Sequence, residues 1–228
     1  MMQWHCKIAV ILHRMTEAVK SAGLRAARVL ENEERILRAA HALFARNGYH
    51  ATTLTAVADA AGVGHRTVYV RFGTKAALLK RVIDLAVAGD LAPIDVVSRE
   101  WYRTATTAPT LQERIAEFAK GSARLVTSMA DLIPVARQAE PTEPLLAAAA
   151  RAGRAATRDA VRTFWERARD DGLLAAGCDV TWLADTTSAL AHAETYLLMR
   201  ETLRMSPERY ENWLATTWHR LASAATQN

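Results

Sequence analysis

The chain has 228 residues, half of them hydrophobic, with only 10 Gly and 6 Pro, so it is long enough to bury a sizeable core and its composition favours helices over sheets. No run approaches the roughly 20 apolar residues that span a bilayer, and no β-branched run alternates strictly enough to form a strand. The net charge of +5 is unevenly spread: residues 1–81 hold 13 Lys and Arg against 5 Asp and Glu, whereas residues 82–228 hold 16 against 19.

Residues 1–30 are the least patterned and read as an N-terminal extension, helical or a flexible basic arm, in which Met15 is an alternative start. The apolar run from Ile8 to Leu12 is too short for a signal-peptide core, so a soluble cytoplasmic protein is expected. Cys6 and Cys178 are far apart and outside any CxxC, which suits free thiols and leaves no metal framework.

From Glu31 the pattern sharpens. Asn32 is a candidate N-cap, and Ile36, Ala39, Ala40, Leu43 and Phe44 recur at helical spacing until Asn47-Gly48. Thr52 and Thr53 can cap a short helix from Leu54 to about Ala60, which Gly62 ends. A second short helix runs from about His65 to Arg71, and Gly73-Thr74 leads into a fourth from Lys75 to Val87. Val57, Val63, Val68 and Phe72 are placed to meet the first helix on a small core. Pro93 marks an interruption. Helices are then expected over 95–106, 110–130, 142–172, 179–204 and 207–225, punctuated by Pro109, Pro134, Pro141, Pro144, Gly172, Gly177 and Ser206-Pro207, with Asp179 as an N-cap.

Two short helices joined through Gly62-Val63-Gly64, with Ala58 and Ala61 small enough for close approach, have the spacing of a helix-turn-helix. His65, Arg66 and Lys75 stand at helix starts, where the dipole disfavours a cation by roughly 0.3–1 kcal/mol. A phosphate at those starts would meet both the cations and free backbone amides.

Residues 31–81 resemble the N-terminal domain of the TetR family of bacterial regulators. The resemblance is carried by Ile36-Leu37, Ala39-Ala40, Leu43-Phe44, Gly48-Tyr49, Thr52-Thr53, Val57-Ala58, Ala61-Gly62-Val63, Thr67-Val68-Tyr69, Phe72, Lys75 and Ala77-Leu78-Leu79. Ser206-Pro207-Glu208-Arg209-Tyr210 is similar to the family's C-terminal pattern, while residues 90–178 match in helical character alone. One departure bears on the operator: Gly64-His65-Arg66 stands where the family often opens its recognition helix with Ser and a small residue, so an operator cannot be borrowed from relatives.

The resemblance implies an all-α fold: a three-helix helix-turn-helix domain over 31–80, preceded by the extension 1–30, and a larger effector-binding and dimerisation domain over 81–228. It implies phosphate contacts by Thr53, Thr55, Tyr69 and Lys75, and base contacts in the major groove by His65, Arg66 and Thr67 behind Gly64. Arg71 is a base or phosphate contact, and His50 a weaker candidate. Trp101, Phe118, Leu125, Met129, Phe164, Trp165, His192 and Tyr196 are candidate walls of an effector pocket. Few charges fall among them, which points to a small, largely apolar effector, with His192 or Glu194 as its polar anchor. Leu183, Thr187, Leu190, Glu194 and Leu197 form one stripe, and Trp213, Leu214, Thr217, Trp218 and Leu221, with Tyr210, another; both are candidate homodimer surfaces.

The function expected is a ligand-responsive regulator binding a palindromic double-stranded DNA operator as a dimer, with repression the commoner action and activation the alternative. No cofactor, metal or membrane partner is expected. A helical enzyme or adaptor is the rival class, but GxGxxG, P-loop, HExxH and GxSxG motifs are all missing.

Overall fold

The computed structural model describes residues 28–88 and 96–225. The extension up to residue 27, with Cys6 and Met15, and the interruption at Pro93 lie outside the described residues. Those residues form eleven α-helices and one 3-10 turn, with no strand among them; the expected all-α class holds.

Helix α1 covers residues 28–51. Asn32 does not cap it: the helix already runs at residue 28, because Arg28-Val29-Leu30-Glu31 contains nothing that breaks it. Gly48 takes the left-handed conformation (φ 75°) in the last turn, and a Cβ there would meet Gln138 Oε1 at 2.8 Å. Helix α2 (Leu54–Ala61) is capped by Thr53, whose Oγ1 accepts the Ala56 N–H at 3.1 Å, and it ends at left-handed Gly62. Arg35 secures that end by donating to the Ala61 carbonyl at 2.6 Å. Helix α3 (His65–Phe72) starts from Gly64 without a side-chain cap, and Thr74 caps α4 (Lys75–Ala88) through the Ala77 N–H at 3.0 Å.

Ile36, Leu37, Ala40 and Phe44 of α1 pack with Val57 and Ala58 of α2, Val68 of α3 and Leu78, Leu79 and Val82 of α4. The expected Val63 and Phe72 join at the margin, partly buried. Leu132, Val135, Ala139 and Leu146 enter this same core from far along the chain. Residues from both sides of the boundary expected near residue 80 thus share this core.

Beyond a 3-10 turn (Val96–Ser98) come α5 (Glu100–Thr107) and α6 (Leu111–Met129), the latter opened by a Thr110/Glu113 capping box. Helix α7 (Ile133–Ala139) was not expected: Pro134 stands in its first turn, where a missing N–H costs nothing, instead of ending a helix. Helix α8 (Pro144–Asp170) starts on proline for the same reason, and Asp179 and Ser206 cap α9 (Val180–Ala191) and α11 (Pro207–Ala224) as expected.

The single helix expected over 179–204 is in fact two. The backbone turns extended at His192 (φ −69°, ψ 146°), and α10 (Ala193–Leu203) follows. Two freed carbonyls are met by side chains: the Thr195 hydroxyl donates to Ala189 O at 2.7 Å and the Tyr210 hydroxyl to Leu190 O at 2.9 Å.

Candidate nucleic-acid interface

Helix α3 buries Val68 completely and leaves His65, Arg66, Thr67, Tyr69, Val70 and Arg71 exposed. Arg66 and Val70 lie two positions either side of Val68, hence on the opposite, outward face, one turn apart. Neither the Arg66 nor the Thr67 side chain has a hydrogen-bond or ion-pair partner among the described residues. Val70 is 75% exposed and Tyr69 50%. Val70 was missed in the sequence because an apolar residue in an apolar-patterned segment reads as core; the signal that would have found it is its phase, opposite Val68.

The cations divide on inspection of their partners. Lys75 donates from Nζ to the Tyr49 carbonyl at 2.7 Å and lies 4.2 Å over the Tyr49 ring. The ammonium thus serves the carboxyl end of α1, where the dipole favours a cation. A hydrogen bond from a charged donor contributes roughly 1.5–3 kcal/mol, more than the roughly 0.3–1 kcal/mol that its helix start costs. The Tyr49 contacts account for a cation at this helix start without DNA. Burial pushes its ammonium below the ordinary value, opposed by the Glu143 carboxylate.

Arg71 is likewise engaged within the chain. Its guanidinium pairs with Glu33, a carboxylate only 7% exposed, which also receives Arg81 at 3.3 Å. Glu33 ties α3 and α4 to α1, with the Arg71 side chain 47% exposed. His65 Nε2 lies 2.7 Å from Asp59 Oδ1 across the turn, both groups being well exposed. Such a pair is worth about 0–1 kcal/mol and exchanges readily. Thr53 spends an acceptor on capping, Thr55 is exposed, Gly64 opens α3, and exposed His50 sets its ring edge against Tyr49 at 5.8 Å. Arg66, Thr67, Tyr69 and Val70 remain as the unengaged outward set.

Tyr49 also connects this module to the rest of the chain. Its N–H donates to Gln138 Oε1 at 3.1 Å and its hydroxyl to Glu143 Oε1 at 2.7 Å. Burial, reinforced by that hydrogen bond, raises its phenol well above the ordinary value.

Of the residues expected to line an effector pocket, Phe118, Phe164 and Trp165 pack against one another and against Trp218, with Phe118 and Trp218 centroids 4.6 Å apart. Trp165 donates to Thr187 at 2.8 Å, Tyr196 is buried against Tyr210, and Trp101 covers Gly121. These rings fill their own space; Trp101, Leu125, Met129 and His192 keep partial exposure. A separate cleft of about 410 Å³ is lined by Arg137, Arg154, Ala189, His192, Glu194 and Thr195.

The two dimer stripes are similarly divided. Leu183, Thr187, Leu197, Leu214 and Trp218 are buried within one chain and have no surface to offer a partner. Leu190, Glu194, Trp213, Thr217 and Leu221 are half-buried. Trp182, Leu198 and Leu203 are exposed apolar residues on α9 and α10 that periodicity did not single out.

Among the described residues no helix is long and apolar enough to cross a membrane, and no His, Cys, Asp and Glu cluster is arranged to hold a metal ion. No curated protein matches the chain. Among solved structures, a Pseudomonas aeruginosa PAO1 protein described as a transcriptional regulator superposes with a TM-score of 0.65 at 19% identity, covering 86% of this chain and 92% of its own. SmeT in complex with triclosan gives 0.64 at 21% identity, covering 83% and 90%. A Mesorhizobium loti MAFF303099 protein described as a TetR-family transcriptional regulator gives 0.68 at 18%, covering 86% and 98%. At these identities the likeness establishes the fold. Residues 36–82, which hold the core and outward face just described, match the family model for bacterial regulatory proteins of the tetR family. Over residues 36–82 the chain is thus similar to the tetR family of bacterial regulatory proteins, and as a whole it shares the fold of the solved structures above.

Proposed function

We propose that the chain represses transcription as a homodimer, reading a palindromic operator through α3 and releasing it when a small effector binds the helical region beyond residue 80. The observation that carries this reading is the outward pair Arg66 and Val70, exposed and unpartnered on α3. An unpaired guanidinium suits bidentate contact with guanine O6 and N7, and an exposed valine suits the thymine methyl. Thr67 and Tyr69 flank them with hydroxyls for base or phosphate, and Thr53, Thr55 and His65 lie beside them.

One such helix spans only a few base pairs, so specificity calls for two copies related by a two-fold axis. Trp182, Leu198 and Leu203, with half-buried Trp213 and Leu221, are the apolar surface that a second copy would cover. Effector response is supported by the SmeT–triclosan likeness in fold, a small molecule being the ligand of that relative.

Unbiased selection of DNA bound by the purified protein tests the reading. The expected result is a two-fold symmetric motif whose complex forms at low salt, weakens steeply with added salt and contains two chains. A monomer that selects no sequence at low salt overturns it.

A further inference from the structure

We infer that the cleft between α7, α8 and the α9–α10 break binds the anionic group of a small molecule, a carboxylate or phosphate, through Arg137 and Arg154. This rests on the reading that the chain answers a small effector, and names where the charged end of that effector is held.

Four features of the cleft carry the inference. Arg137 is exposed and makes no ion pair or hydrogen bond among the described residues, so a guanidinium fork stands open at the mouth. Arg154 spans two carboxylates unequally: Nε meets Glu194 Oε1 at 2.9 Å, whereas Nη2 meets both Glu140 oxygens only at 3.3 Å. The Glu140 pairing is the looser and the more easily exchanged. Burial lowers the His192 imidazole below its ordinary value, opposed by the Glu194 carboxylate. The recess of about 410 Å³ is open to solvent and has room for the charged head of a small molecule. Ala189 and the His192 ring can lie against an apolar body, so an effector that is apolar apart from one anionic head fits.

The exchangeable carboxylate is not isolated. Glu140 follows directly on α7, whose Gln138 accepts the Tyr49 N–H, and Glu143, three residues on, accepts the Tyr49 hydroxyl at 2.7 Å. Tyr49 closes α1 and its carbonyl receives Lys75 at the start of α4. An anion that displaces Glu140 from Arg154 therefore alters a segment hydrogen-bonded to α1 and, through Tyr49, linked to the start of α4. These contacts form a contiguous set from the cleft to the helix-turn-helix.

Equilibrium dialysis of the full chain against benzoate, inorganic phosphate and neutral benzamide tests the site. Saturable binding of one anion per chain is expected at millimolar concentration or below, with benzamide much weaker, and the benzoate and phosphate arms distinguish a carboxylate from a phosphate site. Arg137→Ala, an exposed position that folding does not depend on, should lose at least about ten-fold in affinity, the scale of one charge-assisted contact. Arg154→Lys should retain the fold and bind more weakly through loss of the fork. Absence of saturable binding by both anions, equal binding of benzamide, or unchanged binding by Arg137→Ala overturns the site.

The second readout is affinity for the selected DNA with and without saturating anion. A change of about five-fold or more is expected, reduced by Tyr49→Phe, which deletes the Glu143 contact. Anion binding with no change in DNA affinity overturns the coupling. Failure to bind any DNA without anion is instead the failure of the proposed function, and leaves the dialysis result standing.

Discussion

The Lys75 ammonium is bound to the Tyr49 carbonyl at 2.7 Å, and the two residues lock the start of α4 to the end of α1. The cation's value is spent inside the chain. Lys75→Ala should therefore lower stability by about 1–2 kcal/mol, measured as a reduced urea midpoint with unchanged slope. A variant as stable as the parent but weaker on all DNA sequences would return Lys75 to a phosphate role.

Glu33 holds Arg71 and Arg81 at once, its carboxylate nearly buried while both guanidinium groups are part-exposed. Glu33→Gln and Arg71→Ala should each destabilise, and their effects should fall short of additivity. A double-mutant cycle is expected to give a coupling of about 1 kcal/mol, discounted for the exposure of Arg71. A coupling near zero would mean the pair contributes nothing to docking α3.

The outward face of α3 makes a prediction that needs no structural change in the DNA. Replacing thymine by uracil at one step of the selected half-site should weaken binding of the parent by about 1 kcal/mol, the worth of one buried methyl. Val70→Ala should weaken binding to thymine DNA and lose that discrimination. Arg66→Ala should cost about 1–3 kcal/mol at a single guanine and relax preference there. If Val70→Ala discriminates thymine from uracil as well as the parent does, the methyl contact is refuted.

Gly121 is buried on α6 beneath Trp101, and a Cβ there would run into the indole. Gly121→Ala should lower the melting temperature, at a cost of about 1–3 kcal/mol from overpacking. Adding Trp101→Leu should recover part of that loss, since a smaller side chain vacates the space. Thermal denaturation followed by circular dichroism reads both, and an additive double variant would rule out the contact.

Much of the helix inventory could be read directly from the chain. Thr53, Asp179 and Ser206 cap where their hydroxyl or carboxylate, next to an apolar period, said they would. Gly62 and Gly73 end helices in positive φ. These are local effects, decided within a few residues, and the phase of Val68 placed Arg66 outward for the same reason. The pockets and partners of side chains were harder. Aromatic residues at helical spacing look alike whether they line a void or fill one, and Phe118, Phe164, Trp165 and Trp218 fill it.

The sequence by itself determined that this chain is helical, where its short helices start and stop, and that residues near 53–72 form a helix-turn-helix, because capping, glycine conformation and hydrophobic phase act over one or two turns. Only the tertiary structure decided which cations are free and where the long C-terminal helix breaks. Arg71 and Lys75 are engaged by Glu33 and Tyr49, tens of residues away in the chain. The break at His192 carries no glycine or proline; it is stabilised by Tyr210, whose hydroxyl reaches a carbonyl that α9 leaves free. Charge and hydrogen-bonding partners brought together by folding have no period along the chain, so no reading of spacing reveals them.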